Sequence, residues 1–514
     1  MIKILWADDE IDLLNSHVLY LESKGYSVTP VNSGDNALDL LVEKNFDIIF
    51  LDENMPGISG LETLTIIKEK YPSTPVIMIT KSEEERIMEE AIGSKIADYL
   101  IKPVNPNQIL LAIKKNIDKN RLIGERTSRD YQQEFRNIST LIGSANTVEE
   151  WYSVYKKIIY WELELDKSKD SNMDEILALQ KSEANLQFFK FVKKNYKTWI
   201  SSEAKPLMSH NLFLNKINPF LNSNKNVYLI VIDNLRFDQW KIIEPLVLED
   251  FNLINEDMYM SILPTSTQYS RNSIFSGLHP GDIQKKFPSK WVDEENSKGK
   301  NDFESDFLHE NLKRLGKENI KYTYNKITNF EAGNKMINRV SDLKNNLLNV
   351  IVYNFVDILS HAKTEMKVIK ELVKDDSAYR SLTYSWFSHS PLREIMKKIA
   401  LQGAKLVITT DHGTINVNKP SKLIGERDIT SNLRFKNGRN MKYIKEDVFE
   451  INNPSEYNLP SRNLSGKYIF AKENTYFVYQ NNFNYYAKFY KNSYQHGGVS
   501  LEEMLVPCLT LSSK

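Results

Sequence analysis

The chain has 514 residues, more than one hydrophobic core accommodates, so two to four domains are expected. Lysine plus arginine and aspartate plus glutamate both total 67, and a formal charge of zero excludes a whole-chain basic footprint for duplex DNA. A single cysteine, Cys508, excludes an internal disulfide framework, and no apolar run approaches the ~20 residues that span a membrane. The apolar run of "MIKILWADDE" meets two aspartates too early for a signal peptide, so a cytoplasmic location is expected.

Residues 1–118 alternate short apolar runs ("IKILWA", "SVTPV", "DIIFL", "VIMIT", "DYLI") with amphipathic helical patterns such as "GLETLTIIKEK". Five such units predict a doubly wound, flavodoxin-like parallel sheet. Asp8 and Asp9 end the first strand, Asp52 the third and Thr80 the fourth, and Lys102 follows the fifth. The C-terminal ends of parallel strands share one edge, so these side chains converge there. Carboxylates packed together repel, and magnesium with oxygen ligands relieves that. A carboxylate beside such a metal can attack a phosphoryl donor, with Lys102 and the Thr80 hydroxyl binding the new phosphoryl oxygens. A lone aspartate at a strand end is an ordinary helix cap, but five groups at ordered strand ends are a more specific pattern.

The stretch resembles a response-regulator receiver domain over its whole length. That resemblance implies that Asp52 accepts phosphate from a sensor histidine kinase. It implies a magnesium ion held by Asp8, Asp9, Asp52 and the Asn54 carbonyl, Tyr99 as a switch residue, and a cis Lys102–Pro103 bond. Lys81 departs from the small residue usual after the switch threonine, which bears on phosphotransfer and dephosphorylation rates.

From Asn107 to Lys205 there is no proline, and Gly124 and Gly143 are the only glycines. Aromatic and aliphatic residues recur at helical spacing, with breaks at "GSANT" and "DKSKDSN". Residues 119–222 are therefore expected to form a bundle of three or four helices. They carry no cluster with ligand spacing and read as a spacer or transmission element.

Residues 223–514 return to strands: "VYLIVID", "VIVYNFVD" and "KLVITTD" are near-continuous apolar runs ending at Asp233, Asp357 and Asp411. "GKYIFAKENTYFVYQNNFNYYAKFY" reads as antiparallel hairpins with Glu-Asn and Asn-Asn turns. His412 adjoins Asp411, His361 lies one helical turn after Asp357, and His496 in "YQHGG" is a third candidate. "LPTSTQYSRN" predicts a helix beginning near Gln268, with Thr267 at its N-terminus, where free N–H groups favour an alkoxide or phosphate. Arg271, one turn on, is either a phosphate clamp or a salt-bridge partner. Three aspartates and a deprotonated Thr267 carry four negative charges, which two divalent cations cancel. Mixed imidazole and carboxylate ligands suit zinc or manganese.

The order Asp, Thr, Asp-x3-His, Asp-His, His resembles the alkaline phosphatase superfamily, and "VIDNLRFDQ" with "LPTSTQYSRN" its PglZ branch. The resemblance implies one zinc on Asp357, His361 and His496, and a second on Asp233, Asp411 and His412. Thr267 is then nucleophile and metal ligand. The whole order of receiver, helical bundle and α/β phosphatase domain is similar to PorX-type response regulators, which are linked to type IX secretion. The expected activity is a two-zinc phosphodiesterase acting on oligonucleotide or nucleotide phosphoesters. "GERDITSNLRFKNGR" offers Arg427, Arg434 and Arg439 to a polyanion, or is a solvated insertion. A reading of another class is a phosphorylation-gated binding module for a sigma factor, DNA or a secretion component, with a structural zinc site. Phosphorylation is expected to expose a face for homodimerisation.

Overall fold

The computed structural model describes residues 2–72, 74–81, 96–168, 171–202, 205–223, 225–292, 299–425, 429–461 and 466–514. It divides into two compact units, Met1–Gln133 with Glu164–Ser171, and Glu134–Leu163 with Asn172–Lys514.

In the first unit the strands are β1 (Lys3–Ala7), β2 (Ser27–Val31), β3 (Ile48–Asp52), β4 (Val76–Thr80) and β5 (Asp98–Ile101). They form a parallel sheet in the order β2-β1-β3-β4-β5. Side chains alternate across it with period two: Ile4 and Trp6 enter one core with Phe50 and Ile77, while Leu5 and Ala7 enter the other with Ile49 and Leu51. The helices Asn15–Ser23 and Pro106–Ile113 cover the first face through Val18, Leu21, Ile109 and Ile113. Gly34–Glu43 and Gly60–Lys70 cover the other through Ala37, Leu41, Leu64 and Ile67. The latter opens on a capping box between Ser59 and Glu62. Its Gly60 lies so close to the Asp52–Glu53 backbone that a Cβ would sit 2.3 Å from the Asp52 carbonyl oxygen.

The helices Lys119–Ser144, Val148–Ser168 and Ser171–Ser201 follow, with breaks where the sequence patterns stop. Within the second unit, aromatic contacts such as Trp151 with Phe188 and Phe191 pack the latter two helices together.

The central sheet of the second unit contains β6 (Val227–Ile232), β7 (Phe251–Met260), β8 (Tyr322–Ile327), β9 (Leu348–Tyr353), β10 (Lys405–Thr409) and β18 (Leu505–Ser513). Its order is β7-β18-β10-β6-β9-β8, with β10, β6, β9 and β8 parallel. β6, β10 and β9 are neighbours, and every residue of β6 and β9 is buried. Smaller sheets are built from β11 (Ile415–Val417), β12 (Lys419–Leu423), β13 (Phe435–Gly438), β14 (Val448–Ile451), β15 (Lys467–Ala471), β16 (Thr475–Tyr479) and β17 (Ser493–Gln495).

Two expectations for this region are corrected. β15 pairs with β13 and β14, and β16 pairs with β12 in parallel, so the expected hairpins do not form. Phe483–Tyr490 is a helix: Phe483, Ala487 and Tyr490 rest on Ile415, Val417, Tyr476 and Val478, an i, i+4, i+7 stripe that strong β propensity concealed.

Candidate functional site

In the first unit, Lys102 Nζ lies 2.9 Å from both Asp8 Oδ2 and Asp52 Oδ1. Burial is the main cause that raises the Asp52 carboxyl above its ordinary range, opposed by its hydrogen bond to Lys102. Burial works against the Lys102 ammonium, but the bonds to Asp52 and Asp8 outweigh it and raise the group. Oxygens of Asp8, Asp9 and Glu10 lie within 4.8 Å of one another. Asn54 is exposed in the turn after β3, and the Lys102–Pro103 bond is cis. The Thr80 hydroxyl donates to the Glu53 carboxylate. Tyr99 is exposed, and Lys81 makes an exposed ion pair with Glu10 at 3.2 Å.

In the second unit the C-terminal ends of β6 and β10 and the segment after β9 bring Asp233, Asp411 and Asp357 to one edge. β9 ends at Tyr353, so Asp357 lies in the first turn of the helix Phe355–Glu365 instead of ending a strand. Ligand atoms of Asp233, Asp411 and His412 lie within 4.8 Å of one another, all buried. Thr267 is the first residue of the helix Thr267–Ser276, and its Oγ1 is 3.1 Å from His412 Nε2 and 3.5 Å from Asp233 Oδ1. His496 Nε2 is 3.9 Å from Asp357 Oδ1, and the rings of His412 and His496 stack with centroids 4.2 Å apart. His361 lies in the helix Phe355–Glu365, but its side chain is outside the described residues, as is Arg427.

The site's two described histidines, His412 and His496, are each held by a backbone carbonyl. The Nδ1–H of His412 donates to the Gly413 carbonyl at 3.0 Å, and that of His496 to the Thr265 carbonyl at 3.1 Å. Those carbonyls only accept, so in the neutral form of each ring Nε2 carries the lone pair, on the side of the carboxylates. Burial lowers the His412 imidazole and keeps it neutral, the ligand form. Burial raises both Asp233 and Asp411, and the neighbouring Asp411 charge raises Asp233 further. Among the described residues, none donates a hydrogen bond to the buried Asp411 Oδ2. Buried carboxylates held this way fit a cationic occupant, and the N/O donor set fits zinc.

Arg271 is fully buried. It donates to Asp233 Oδ2 at 2.8 Å and lies 3.8 Å from Asp411 Oδ2, while Glu304 accepts from its Nε. Of the two readings open for Arg271, the salt bridge is the one seen. Glu304 shares the guanidinium with Asp233, so Arg271 alone does not neutralise the buried Asp233–Asp411 pair. Arg434 corrects another expectation: it is buried on Glu503, with Nη2–Oε2 at 2.6 Å, and does not present a cation to a polyanion. Arg439 is half-buried.

Several residues of the site escaped the sequence reading. Asn234 adopts φ 65°, a left-handed conformation that asparagine tolerates. Its N–H donates to Asp411 Oδ1 at 3.2 Å and its amide to Asp357 Oδ1 at 3.4 Å, tying two ligands together. Glu503 accepts from Gly498 N at 2.8 Å with its carboxylate and from Gly413 N at 3.1 Å with its carbonyl. It thereby fixes the loops of His496 and His412. Gly413 is obligatory, since a Cβ there would lie 2.0 Å from the Glu502 carbonyl oxygen. The signal for Asn234 is its position behind a strand-ending aspartate; for Glu503, 90 residues from Gly413, the sequence holds none.

Comparison with known proteins finds family matches for three stretches of the chain. Residues 4–114 match the response regulator receiver domain, 121–200 the PorX response regulator linker domain, and 212–511 the BREX system PglZ alkaline phosphatase-like domain. The last match covers more than half of the chain, which therefore belongs to the PglZ alkaline phosphatase-like family. The chain is a response regulator with a phosphatase-like output domain, and its architecture is PorX-like.

Curated relatives match the receiver alone. The transcriptional regulatory protein ResD of Bacillus subtilis is 37% identical over 112 residues, 22% of this chain and 46% of that protein. The alginate biosynthesis transcriptional regulatory protein AlgB of Pseudomonas putida is 35% identical over 120 residues, 23% and 27% respectively. The chain thus spans less than half the length of these relatives. Among solved structures, the Thermotoga maritima response regulator TrrA, in complex with Mg(2+)-BeF, is 30% identical with a TM-score of 0.21, covering 22% of this chain and 98% of that one. No described helix is long and apolar enough to cross a membrane.

Proposed function

We propose that this chain is a phosphorylation-controlled phosphodiesterase with three functional segments: 1–118 as receiver, 119–222 as helical linker and 223–514 as catalytic domain. The observation that carries the reading is the Thr267 hydroxyl, partly exposed at a helix N-terminus and 3.1 Å from a neutral histidine amid two buried aspartates. Asp233, Asp411 and His412 would hold one zinc, and Asp357, His361 and His496 a second; the ions would supply Lewis-acid activation and charge neutralisation. Thr267 Oγ1 passes its proton to solvent and attacks phosphorus, the bond to the leaving alkoxide breaks as water protonates that oxygen, and a further water then hydrolyses the phosphothreonine. The N–H groups of the first turn of the helix Thr267–Ser276 stabilise the phosphoryl oxygens. Arg271 orients Asp233 and contributes positive potential from behind it.

In the receiver, Asp52 accepts phosphate from a sensor histidine kinase, with magnesium on Asp8, Asp9, Asp52 and the Asn54 carbonyl. Thr80 then exchanges Glu53 for the phosphoryl group, Tyr99 rearranges, and Lys102 pairs with the phosphate. The output is a homodimer with altered turnover on oligonucleotide or nucleotide phosphoesters, serving cytoplasmic control of type IX secretion through a sigma factor or secretion component. Hydrolysis of bis-p-nitrophenyl phosphate and short oligonucleotides by the zinc-loaded full chain tests the catalytic reading. It fails if neither is cleaved and Thr267→Ala changes nothing.

A further inference from the structure

β11 leads directly away from Asp411 and His412, and β17 leads directly into His496; the two pair with each other. Residues 412–425 and 474–501, which include both strands, contain no aspartate or glutamate. At the chain's average of 67 acids in 514 residues, these stretches would carry about five. They carry four lysines instead, Lys419, Lys422, Lys488 and Lys491, all exposed. Lys419 is engaged by Asp447 at 3.4 Å, while Lys422 lies over the Phe483 ring. The helix Phe483–Tyr490 and the residue after it thus carry two exposed lysines and no acid.

The same surface is aromatic where solvent reaches it. The helix Phe483–Tyr490 turns Phe483, Ala487 and Tyr490 inward and presents Tyr485, Tyr486 and Phe489 outward, with Tyr485 65% exposed. Such rings on an outer helical face are costly to leave in water and mark a contact surface. The Tyr485 and Phe489 rings are nearly parallel at 6.2 Å, as are those of Tyr486 and Tyr490. Lys488 and Lys491 are interleaved with them. His496 lies six positions after Tyr490, an extended reach of at most ~20 Å, which a short oligonucleotide bridges.

Aromatic rings interleaved with lysines on a helix that bears no acid suit single-stranded nucleic acid: bases stack on rings while cations follow the phosphates. We propose that the face of Tyr485, Tyr486 and Phe489, with Lys488 and Lys491, is a base-stacking platform that holds a single-stranded oligonucleotide leading to Thr267. This rests on the phosphodiesterase reading and names its substrate class by the surface that grips it.

The test is fluorescence anisotropy with 5′-fluorescein decathymidylate and full-length protein carrying Thr267→Ala, so that the probe is not consumed. Adding Tyr485→Leu and Tyr486→Leu, which keep the surface apolar but remove the rings, is expected to weaken binding about tenfold or more. Lys488→Gln with Lys491→Gln is expected to weaken it and to flatten its salt dependence by about two ions. Unchanged affinity in both variants overturns the platform, as does a Thr267→Ala chain that never binds the probe. It is equally overturned if the tyrosine pair alters sedimentation mass or anionic-vesicle binding while probe binding persists, for then the face meets a second copy or a lipid surface. Turnover of bis-p-nitrophenyl phosphate by the wild type is read separately, so loss of the catalytic reading and loss of the platform are distinguishable.

Discussion

Thr267 works through its position: it starts a helix, and its hydroxyl lies 3.1 Å from His412 Nε2. Thr267→Ala removes the attacking oxygen and is expected to lower phosphodiester turnover by about 10³-fold or more, read as kcat on bis-p-nitrophenyl phosphate. Residual activity near the wild-type level would make water the nucleophile. Lys436 gives a prediction of a different kind. Burial lowers its ammonium to about 7, and its charge is met by the Thr430 carbonyl at 2.8 Å and the Tyr479 ring. Between that value and the ~10.4 of a free lysine, the unfolded chain binds a proton that the folded chain lacks. Stability therefore rises with pH across that window. Lys436→Met is expected to stabilise by on the order of a few kcal/mol near pH 7, with the advantage shrinking toward pH 10 in urea unfolding. Parallel pH profiles for the two chains would contradict this.

Among elements, the turn Leu501–Met504 organises the site although it donates no ligand. Glu503 holds Gly498 and Gly413, Arg434 holds Glu503, and Thr265 Oγ1, two residues before the nucleophile, donates to the Gly498 carbonyl at 2.9 Å. Three loops thus share one buried ion pair. Glu503→Gln is expected to lower zinc affinity about 10–100-fold, measured by chelator competition, because it frees the loops that aim His412 and His496. It also leaves the Arg434 guanidinium without its buried partner, at a cost of about 3–5 kcal/mol in unfolding free energy. Unaltered zinc affinity in a destabilised variant would make the turn purely structural. The neighbouring Glu502 meets the linker helix Ser171–Ser201: Lys181 Nζ lies 3.1 Å from its Oε1, and Asn185 donates to its Oε2 at 3.1 Å.

At the scale of the whole molecule, the proposed regulation runs from Asp52 through the linker helices to that turn. Sedimentation with beryllofluoride is expected to double the mass and shift turnover, and Asp52→Asn to abolish both; unchanged mass and rate would sever the link. How far the sequence foretold this depends on locality. Strand ends such as Asp52, Asp233 and Asp411 were readable because an apolar run stopping at a carboxylate is a local pattern. Asp357 was placed near the right edge but on the wrong element, since "VIVYNFVD" is apolar throughout and conceals the break after Tyr353. The aromatic helix Phe483–Tyr490 read as strand because its helical stripe appears only once Val417 and Tyr476 are beneath it. Arg434 looked like a surface cation because its partner Glu503 lies 69 residues away.

Anomalous diffraction at the zinc edge from crystals of the full-length chain tests the central claim most directly. Two peaks are predicted: one within about 2.0–2.2 Å of ligand atoms from Asp233, Asp411 and His412, the other bounded by Asp357, His361 and His496. A zinc-saturated crystal with no peak beside Thr267, or with metal bound only elsewhere, would contradict it.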